Sequence, residues 1–360
     1  MTRTAGKTTS APPRVVRLSH PFGLCQLFRP LPKDGSPRPV LNETYQYGEL
    51  SLRFSAREAL GVPEQTLLLA LLELAQEQHR RRPSEHRLDQ ADRSEVGSLL
   101  WSSLHLQAEA GAIRELPPTL RLECSWSELH RRCGSASVGG SANDVRRESL
   151  ARLCEVTVWE RDGATHTVRS CRLVSWLVGD NQRVHVALNH RLAAALLSPG
   201  YAQVLLSERL TLPSHTAMLV HAFLSTCLGQ GKSMSIGYET LVERLWPSTG
   251  TPPTASKRKR RLSDVTSAVR AIGRLESWKV QLAPTVAEVT RMKSSACASN
   301  GRPAARAEPR EAREPMPAAR EMTRPSHFAL STSSYGEQPF WQKLSSDKPL
   351  PRNDEASTTL

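Results

Sequence analysis

The sequence predicts an α+β fold in which one order of elements occurs twice. Each half is predicted to contain a leading helix, a short helix, a longer helix and a β-hairpin. The helices are indicated by apolar residues at intervals of three and four, and the hairpins by alternation of apolar and polar residues around turns. This order is that of a winged helix, so we predict two tandem winged-helix domains.

The second half has the clearer pattern. Its predicted elements are a helix over 214–228, a strand over 233–236, helices over 238–246 and 257–275, and strands over 278–282 and 286–292. The segment 247–253 is rich in proline, glycine, serine and threonine, and it separates the last two helices. The final pair of strands forms the predicted wing.

The first half follows the same order with weaker signals. Its predicted elements are strand material over 45–54, helices over 65–78 and 96–106, a strand over 120–124, helices over 125–132 and 142–154, a hairpin over 155–160 and 165–177, a strand over 184–188 and a helix over 191–197. The charged stretch 79–94 has no apolar period and is predicted to be a loop. The two halves share no clear sequence identity, so the repeat is one of architecture.

Composition sets the predicted domain boundaries. We expect a disordered N-terminus over 1–19, a first winged-helix domain with an N-terminal arm over 20–190, and a second over 191–293. From 294 to 360 the chain is dominated by Gly, Pro, Ala, Arg, Glu and Ser, which offer little apolar surface to offset the entropy of ordering. We therefore predict a disordered tail there.

Five consecutive basic residues, at 257–261, begin the longest helix of the second half. Positive charge at a helix N-terminus is disfavoured by the helix dipole, by about 0.3–1 kcal/mol per charge. Leu262, Val265, Val269, Ile272 and Leu275 form one apolar stripe on this helix. A stripe for packing and an opposite face rich in arginine and serine favour a helix that binds a polyanion in its major groove.

Net charge supports a nucleic-acid partner. Lys and Arg total 48 against 35 Asp and Glu, a net of +13, and the sequence pI is near 9.8. The segment 205–293 holds 13 basic and 6 acidic residues, so its net of +7 is over half of the total in about a quarter of the chain. Localised charge of this kind is typical of a binding surface.

The candidate DNA-binding residues divide into those expected at bases and those expected at phosphates. Arginine pairs bidentately with guanine and serine bonds several base edges, whereas phosphate contacts fix register. The candidates at bases are Arg260, Ser263, Ser267 and Arg270, with Arg274 on the same face; those at phosphates are Lys257, Arg258, Lys259 and Arg261, with Lys279 and Arg291 on the wing. In the first half, Arg147 and Arg152 are weaker candidates because their helix carries both signs of charge.

No active site is predicted. None of the seven cysteines forms a CxxC pair, so they are expected to be reduced and buried, and no metal site or cofactor is predicted. The tripeptide at 231–233, GKS, lacks the first glycine of a phosphate-binding loop. Tyr45 and Tyr47 are candidate strand-cleaving nucleophiles, but no histidine pair accompanies them, and strand packing is the favoured role. The chain is therefore predicted not to be an enzyme.

Nothing in the sequence predicts a membrane protein. The longest strongly apolar stretch, at 67–75, is about half the length of a membrane span and contains Glu73. The N-terminus has no apolar core of a signal peptide. A cytoplasmic bacterial protein is the expectation.

Several short motifs together carry a resemblance to a known family. The motifs are HPFGLCQLFRPLPK at 20–33, TYQYG at 44–48, VHVALNHRLA at 184–193, ETLVERLWPS at 239–248 and KRKRRL at 257–262. In this order and spacing, the chain resembles the replication initiator, replication protein C, of IncQ-type broad-host-range plasmids. The resemblance covers about residues 20–291, and neither the stretch 79–94 nor the tail after 294 has a counterpart in it.

The resemblance implies a function and a set of partners. It implies two winged-helix domains similar to those of iteron-binding initiators, binding to directly repeated origin sequences, opening of adjacent A·T-rich DNA, and recruitment of a plasmid-encoded hexameric helicase and primase, with self-association on the repeats. Two other function classes stay open at the level of sequence. One is a winged-helix transcription regulator that binds an operator, and the other is an enzyme of DNA strand transfer or nicking.

Overall fold

The computed structural model describes residues 13–32, 36–108, 116–135, 139–163, 167–198, 200–247 and 252–293. All of these residues belong to one compact unit. The helices are α1 (His20–Leu24), α2 (Val62–Arg81), α3 (Glu95–Leu104), α4 (Trp126–Arg132), α5 (Gly140–Glu155), α6 (His190–Leu197), α7 (Leu206–Thr211), α8 (His215–Cys227), α9 (Tyr238–Leu245) and α10 (Ala255–Ile272). The predicted tail over 294–360 lies outside the described residues.

The strands are β1 (Val15–Ser19), β2 (Leu41–Tyr47), β3 (Leu50–Ala56), β4 (Arg87–Leu88), β5 (His105–Ala108), β6 (Thr119–Cys124), β7 (Thr157–Asp162), β8 (Thr167–Arg172), β9 (Val174–Val178), β10 (Val184–Leu188), β11 (Tyr201–Leu205), β12 (Ser233–Gly237), β13 (Trp278–Leu282) and β14 (Val286–Arg291). They form sheets of order β2-β3-β7-β8-β5, β4-β6-β10-β9, β12-β14-β13 and β1-β11. The architecture mixes helices and sheets, as predicted.

A first core surrounds α2. This helix begins where the Glu64 carboxylate accepts a hydrogen bond from the Gly61 amide at 2.8 Å, with Pro63 in the first turn. Leucines are buried on every side of α2 and not only along the predicted stripe. A helix that is apolar all round has to be enclosed, and the inner faces of the two larger sheets contribute to the same core cluster.

A second core lies between α8, α9, α10 and the three-stranded sheet. Val265, Val269 and Ile272 of α10 are fully buried there, together with Trp278 and Val289 of the sheet. β14 pairs with both β12 and β13 in antiparallel register, so the hairpin after α10 is joined to the strand that precedes α9. The helices and strands predicted for this half are confirmed within a few residues of their bounds.

The predicted N-terminal boundary is wrong in its last residues. β1 is not disordered: it pairs along its whole length with β11, nearly 190 residues later in the chain. The first twelve residues lie outside those that the structure describes. α1 follows β1 directly and packs on α8, so the expected N-terminal arm contacts the second core.

The boundary predicted at 190 and 191 also needs correction. Leu192, Ala193 and Leu196 of α6, Val204 of β11 and Leu206 of α7 all belong to the first core. The second core begins with Leu212. Packing therefore divides the two cores about 20 residues later than composition suggests.

The hairpin of the first half differs from that of the second half. β7 and β8 follow α4 and α5 as predicted, but they lie inside a five-stranded sheet between β3 and β5. The strand before α4, β6, pairs with β4 and β10 in another sheet. The repeat therefore holds for the order of elements and not for strand pairing. The stretch 79–94, predicted as a loop, contains the last turn of α2 and the short β4.

Candidate nucleic-acid interface

The basic run lies in the first two turns of α10. The helix begins at Ala255, two residues earlier than predicted, and Thr254 caps it by accepting a hydrogen bond from the Lys257 amide at 3.3 Å. The first turn contains no acidic residue. The positive charges are therefore not offset along the helix end, where the dipole disfavours them.

One face of α10 is fixed by packing. The predicted stripe is confirmed at Val265, Val269 and Ile272, which are fully buried, and Leu262 packs partly buried against the same core. Leu275 packs there too, although it lies after the helix ends at Ile272. Because this face is held by the core, the rotation of α10 about its axis is determined.

The opposite face of α10 is open to solvent. Its exposed side chains are Lys257, Arg258, Lys259, Arg260, Ser263, Ser267, Arg270 and, just after the helix, Arg274. All eight were singled out from the sequence, and the fold brings them together on one surface. We call this set the α10 basic face. Formal charge there is +6, and the acidic residue nearest in sequence is Asp264.

Two of the basic residues have neighbours that modify them. Arg258 donates to the Glu239 carboxylate at 2.6 Å, and both side chains are about half exposed. The Arg261 guanidinium lies 5.2 Å from the centre of the Trp246 ring, and partial burial lowers the pKa of Arg261. Its ordinary pKa is so high that the group stays charged. Arg261 is thus oriented by an aromatic ring rather than freely mobile.

The wing supplies one of its two predicted residues. Lys279 in β13 is exposed. Arg291 in β14 is a correction, because its side chain turns inward and only 2% of the residue is exposed. One terminal nitrogen donates to the carbonyls of Ser225 and Leu228, and the other donates to the Gln203 carbonyl. Arg291 therefore satisfies the open C-terminal end of α8 and is removed from the interface.

The first half supplies one of its two predicted residues. Arg147 on α5 is exposed, with its guanidinium 5.2 Å from the centre of the Trp126 ring. Arg152 is a correction, since its guanidinium pairs with Glu58 at 3.0 Å, Glu64 at 3.3 Å and Glu148 at 3.1 Å. Burial acts to lower the pKa of Arg152, but the three carboxylates outweigh it and raise that pKa. A cation held by three carboxylates is not available to a phosphate.

A buried carboxylate that the sequence did not reveal holds the base of the wing. Glu208 of α7 accepts hydrogen bonds from the Trp278 indole nitrogen at 3.2 Å and from the Ser277 hydroxyl, and it lies 3.4 Å from His221. Burial alone raises the pKa of Glu208, but these donors outweigh it and lower that pKa. The partners are up to 70 residues apart, so no local pattern indicates them.

Other predicted chemistry can be placed in the same structure. Tyr45 lies half-buried in β2, and burial raises the pKa of its hydroxyl, which disfavours the nucleophilic form. Burial also raises the pKa values of Cys124 and Cys171 to about 12. Within the described ranges no three histidine, cysteine, aspartate or glutamate side chains are grouped to hold a metal ion. None of the described helices is long and apolar enough to cross a bilayer.

Comparison with protein families decides the relationship of the chain. Residues 19–293 match the family model of Replication protein C (RepC). The chain belongs to the RepC family, a family of replication initiators. The resemblance carried by the sequence motifs is confirmed at the level of the family. A search of curated protein sequences finds no match for this RepC-family chain.

Similar solved structures come from two other proteins. The crystal structure of selenomethionine derivatives of domains 2 and 3 of RctB is 9% identical, with a TM-score of 0.42 over 73% of this chain and 95% of that chain. A second structure of RctB domains 2–3 has the same identity and coverage and a TM-score of 0.40. The crystal structure of the Pi initiator protein in complex with iteron DNA is 13% identical, with a TM-score of 0.33 over 63% of this chain and 92% of that chain.

Proposed function

We propose that this chain initiates plasmid replication by binding directly repeated duplex sequences in an origin through the α10 basic face. One observation carries the proposal: a replication protein of the RepC family presents six lysines and arginines and two serines on the solvent side of a helix whose other side is locked into a core. The charge supplies affinity for phosphates, and the fixed rotation of α10 supplies the register that base recognition requires.

We further propose that the second core is a winged helix. The order α8, β12, α9, α10, β13 and β14, with β14 between β12 and β13, supports this assignment. α10 then enters the major groove as the recognition helix. Arg260, Ser263, Ser267 and Arg270 face base edges, and Arg274 follows them along the groove.

Phosphate contacts flank the recognition surface in this arrangement. Lys257, Arg258, Lys259 and Arg261 hold the backbone at the N-terminal end of α10, and Lys279 reaches it from the wing. The first half adds Arg147 alone, from the exposed side of α5. With both halves engaged, one protomer spans about two turns of duplex.

The proposal extends to the later steps of initiation. Several protomers on tandem repeats can together supply the few kcal/mol that bending or unstacking an adjacent A·T-rich segment costs. The opened strand then receives the plasmid-encoded hexameric helicase and primase. Membership in the RepC family supports these steps, together with self-association of bound protomers.

Paired substitutions on α10 test the proposal. Arg260→Ala is expected to cost about 1–3 kcal/mol of binding to the repeated site and to relax specificity at one base pair, whereas Lys257→Ala is expected to weaken all duplexes about equally and to reduce the salt slope by about one. The matched control is Arg82→Ala, an exposed arginine just beyond α2. Fluorescence anisotropy on duplexes with single base changes gives the comparison. If the two α10 variants behave alike, the division between bases and phosphates is wrong; if neither differs from the control, α10 is not the interface.

A further inference from the structure

The five-stranded sheet has an outer face that no other part of the described chain covers. Alternate residues of β2, β3, β7 and β8 point into the first core, among them Leu52, Phe54 and Val158. The remaining residues point outward. We call these outward positions the outer sheet face: Asn42, Thr44, Gln46, Ser51, Arg53, Ser55, Thr157, Trp159, Arg161, Val168, Ser170 and Arg172.

A tryptophan lies at the centre of the outer sheet face. Trp159 is on the middle strand, β7, and is partly exposed to solvent. Arg53 lies directly opposite it on β3. Arg161 follows two positions along the same strand, at about 6.6 Å for a strand rise of 3.3 Å. Arg172 occupies a diagonal position on β8, at about 7–8 Å. One aromatic ring is therefore surrounded by three guanidinium groups.

The outer sheet face carries no carboxylate. Its twelve positions hold three arginines and no aspartate or glutamate, for a formal charge of +3. The carboxylates of these strands lie on the opposite side, where Glu160 pairs with Arg191 at 2.6 Å and Glu43 pairs with Arg29 at 2.7 Å. Acidic side chains are thus segregated to the inner side, which leaves the outer charge uncompensated.

The arginines of this face bond to neutral partners. Arg53 donates to the Asn42 side-chain oxygen at 3.1 Å, and Arg172 donates to the Glu155 backbone carbonyl at 3.1 Å. Neither forms an ion pair with a carboxylate among the described residues. Guanidinium groups held in place by neutral acceptors keep their full charge for an anionic ligand.

We propose that the outer sheet face binds single-stranded nucleic acid, with a base stacked on Trp159 and backbone phosphates at Arg53, Arg161 and Arg172. An aromatic platform ringed by cations on an open sheet is the arrangement that recognises unstacked bases without sequence preference. Apart from Trp159 and Val168, the face has no apolar side chain, which disfavours a stable protein interface. The surface is separate from the α10 basic face, and the opening of a duplex in replication provides its ligand.

Binding of a labelled oligothymidine 12-mer by the full-length protein tests the proposal. Trp159→Ala is expected to weaken binding roughly 5- to 100-fold, the range for losing one stacked base. Arg53→Gln is expected to reduce the salt slope by about 0.7, the value for one phosphate on a single strand. Arg82→Gln removes the same charge elsewhere and is expected to change nothing. Should Trp159→Ala unfold the protein, Trp159→Phe and Arg53→Gln supply the answer.

Two further arms separate this site from α10 and one ligand source from another. Arg260→Ala is expected to weaken duplex binding and leave 12-mer binding unchanged, and Trp159→Ala is expected to do the reverse. An oligouridine 12-mer distinguishes DNA from RNA: tighter binding of the uridine strand assigns the site to RNA within the same chemistry. Photocrosslinking of a 5-iodouracil strand is expected to label Trp159.

Several results overturn the proposal. Unchanged 12-mer affinity in both Trp159→Phe and Arg53→Gln does so, as does crosslinking confined to α10. Loss of self-association in sedimentation without loss of 12-mer binding shows instead that this face is an interface between copies of the chain.

Discussion

Replacement of Arg291 by methionine is expected to separate folding stability from DNA binding. Arg291 donates three hydrogen bonds to buried carbonyls, of which those of Ser225 and Leu228 lie at the end of α8 and that of Gln203 lies in β11. Each buried acceptor left without a partner costs about 1–3 kcal/mol. Methionine keeps apolar volume and removes the cost of burying a charge, so we take the lower end and expect a loss of about 3 kcal/mol.

Thermal unfolding followed by circular dichroism measures this effect. For a chain of this size, a loss of about 3 kcal/mol lowers Tm by about 6–12 °C. The matched control is Arg270→Met on the exposed side of α10, for which stability is expected to change by less than about 0.5 kcal/mol. Duplex affinity, measured well below both transitions, is expected to fall in Arg270→Met and to stay within about two-fold in Arg291→Met.

The opposite pattern refutes this account of Arg291. If Arg291→Met keeps the Tm of the parent protein and loses duplex affinity, then Arg291 contacts DNA and its burial against α8 is wrong. A loss of both properties at a temperature where the variant is folded has the same meaning for the interface.

Three further predictions follow from named contacts. Glu239→Gln is expected to raise affinity for duplexes of any sequence a few-fold, because it releases Arg258 from an exposed ion pair of low intrinsic strength, as a salt titration of anisotropy will show; unchanged affinity means that Arg258 faces no phosphate. Burial raises the pKa of Glu160, but its basic neighbours, including Arg191, outweigh this and lower it from 4.5 to about 2, so it stabilises the fold above pH 4.5 and that contribution is lost as pH falls towards 2. Urea unfolding from pH 5 to pH 2 is expected to show a smaller acid loss in Glu160→Gln, and equal slopes contradict the assignment. Arg209→Met is expected to change the free energy of unfolding by less than about 1 kcal/mol, because this fully buried arginine has no carboxylate within ion-pair distance among the described residues; a loss above 3 kcal/mol contradicts it.

Local patterns were sufficient for the elements that carry the candidate site. The rotation of α10 follows from apolar residues three and four positions apart, and the same period places Arg260 and Arg270 on the solvent side. Both are exposed in the structure. The strands of the wing follow from alternation in the same way. These properties depend on neighbours within a few residues, which a sequence displays directly.

The fate of Arg291 was also within reach of the sequence. It stands two and four positions after Val289 and Ala287, and residues at this spacing share one face of a strand. Both are fully buried, so strict alternation places Arg291 with them. Its charge suggested the opposite face. The hydrogen bonds that make burial possible come from residues more than 60 positions away, which sequence does not show.

Long-range pairing explains the other differences. Arg152 is neutralised by Glu58 and Glu64, about 90 residues earlier in the chain, and β1 finds its partner in β11 at the far end of the first core. Neither pairing leaves a local signature. The division between the two cores shifts for the same reason, because α6 is short and amphipathic and packs equally well on either side of a boundary drawn from composition.

The central claim, that the α10 basic face binds repeated origin sequences and leads to opening of the duplex, is tested most directly by footprinting on supercoiled plasmid that carries the cognate origin. Permanganate detects unpaired thymines in the same reaction. The account predicts protection of tandem direct repeats and permanganate reactivity in the adjacent A·T-rich segment, both lost with Arg260→Ala. Protection of one inverted repeat without unpaired thymines indicates an operator-binding regulator and contradicts the account.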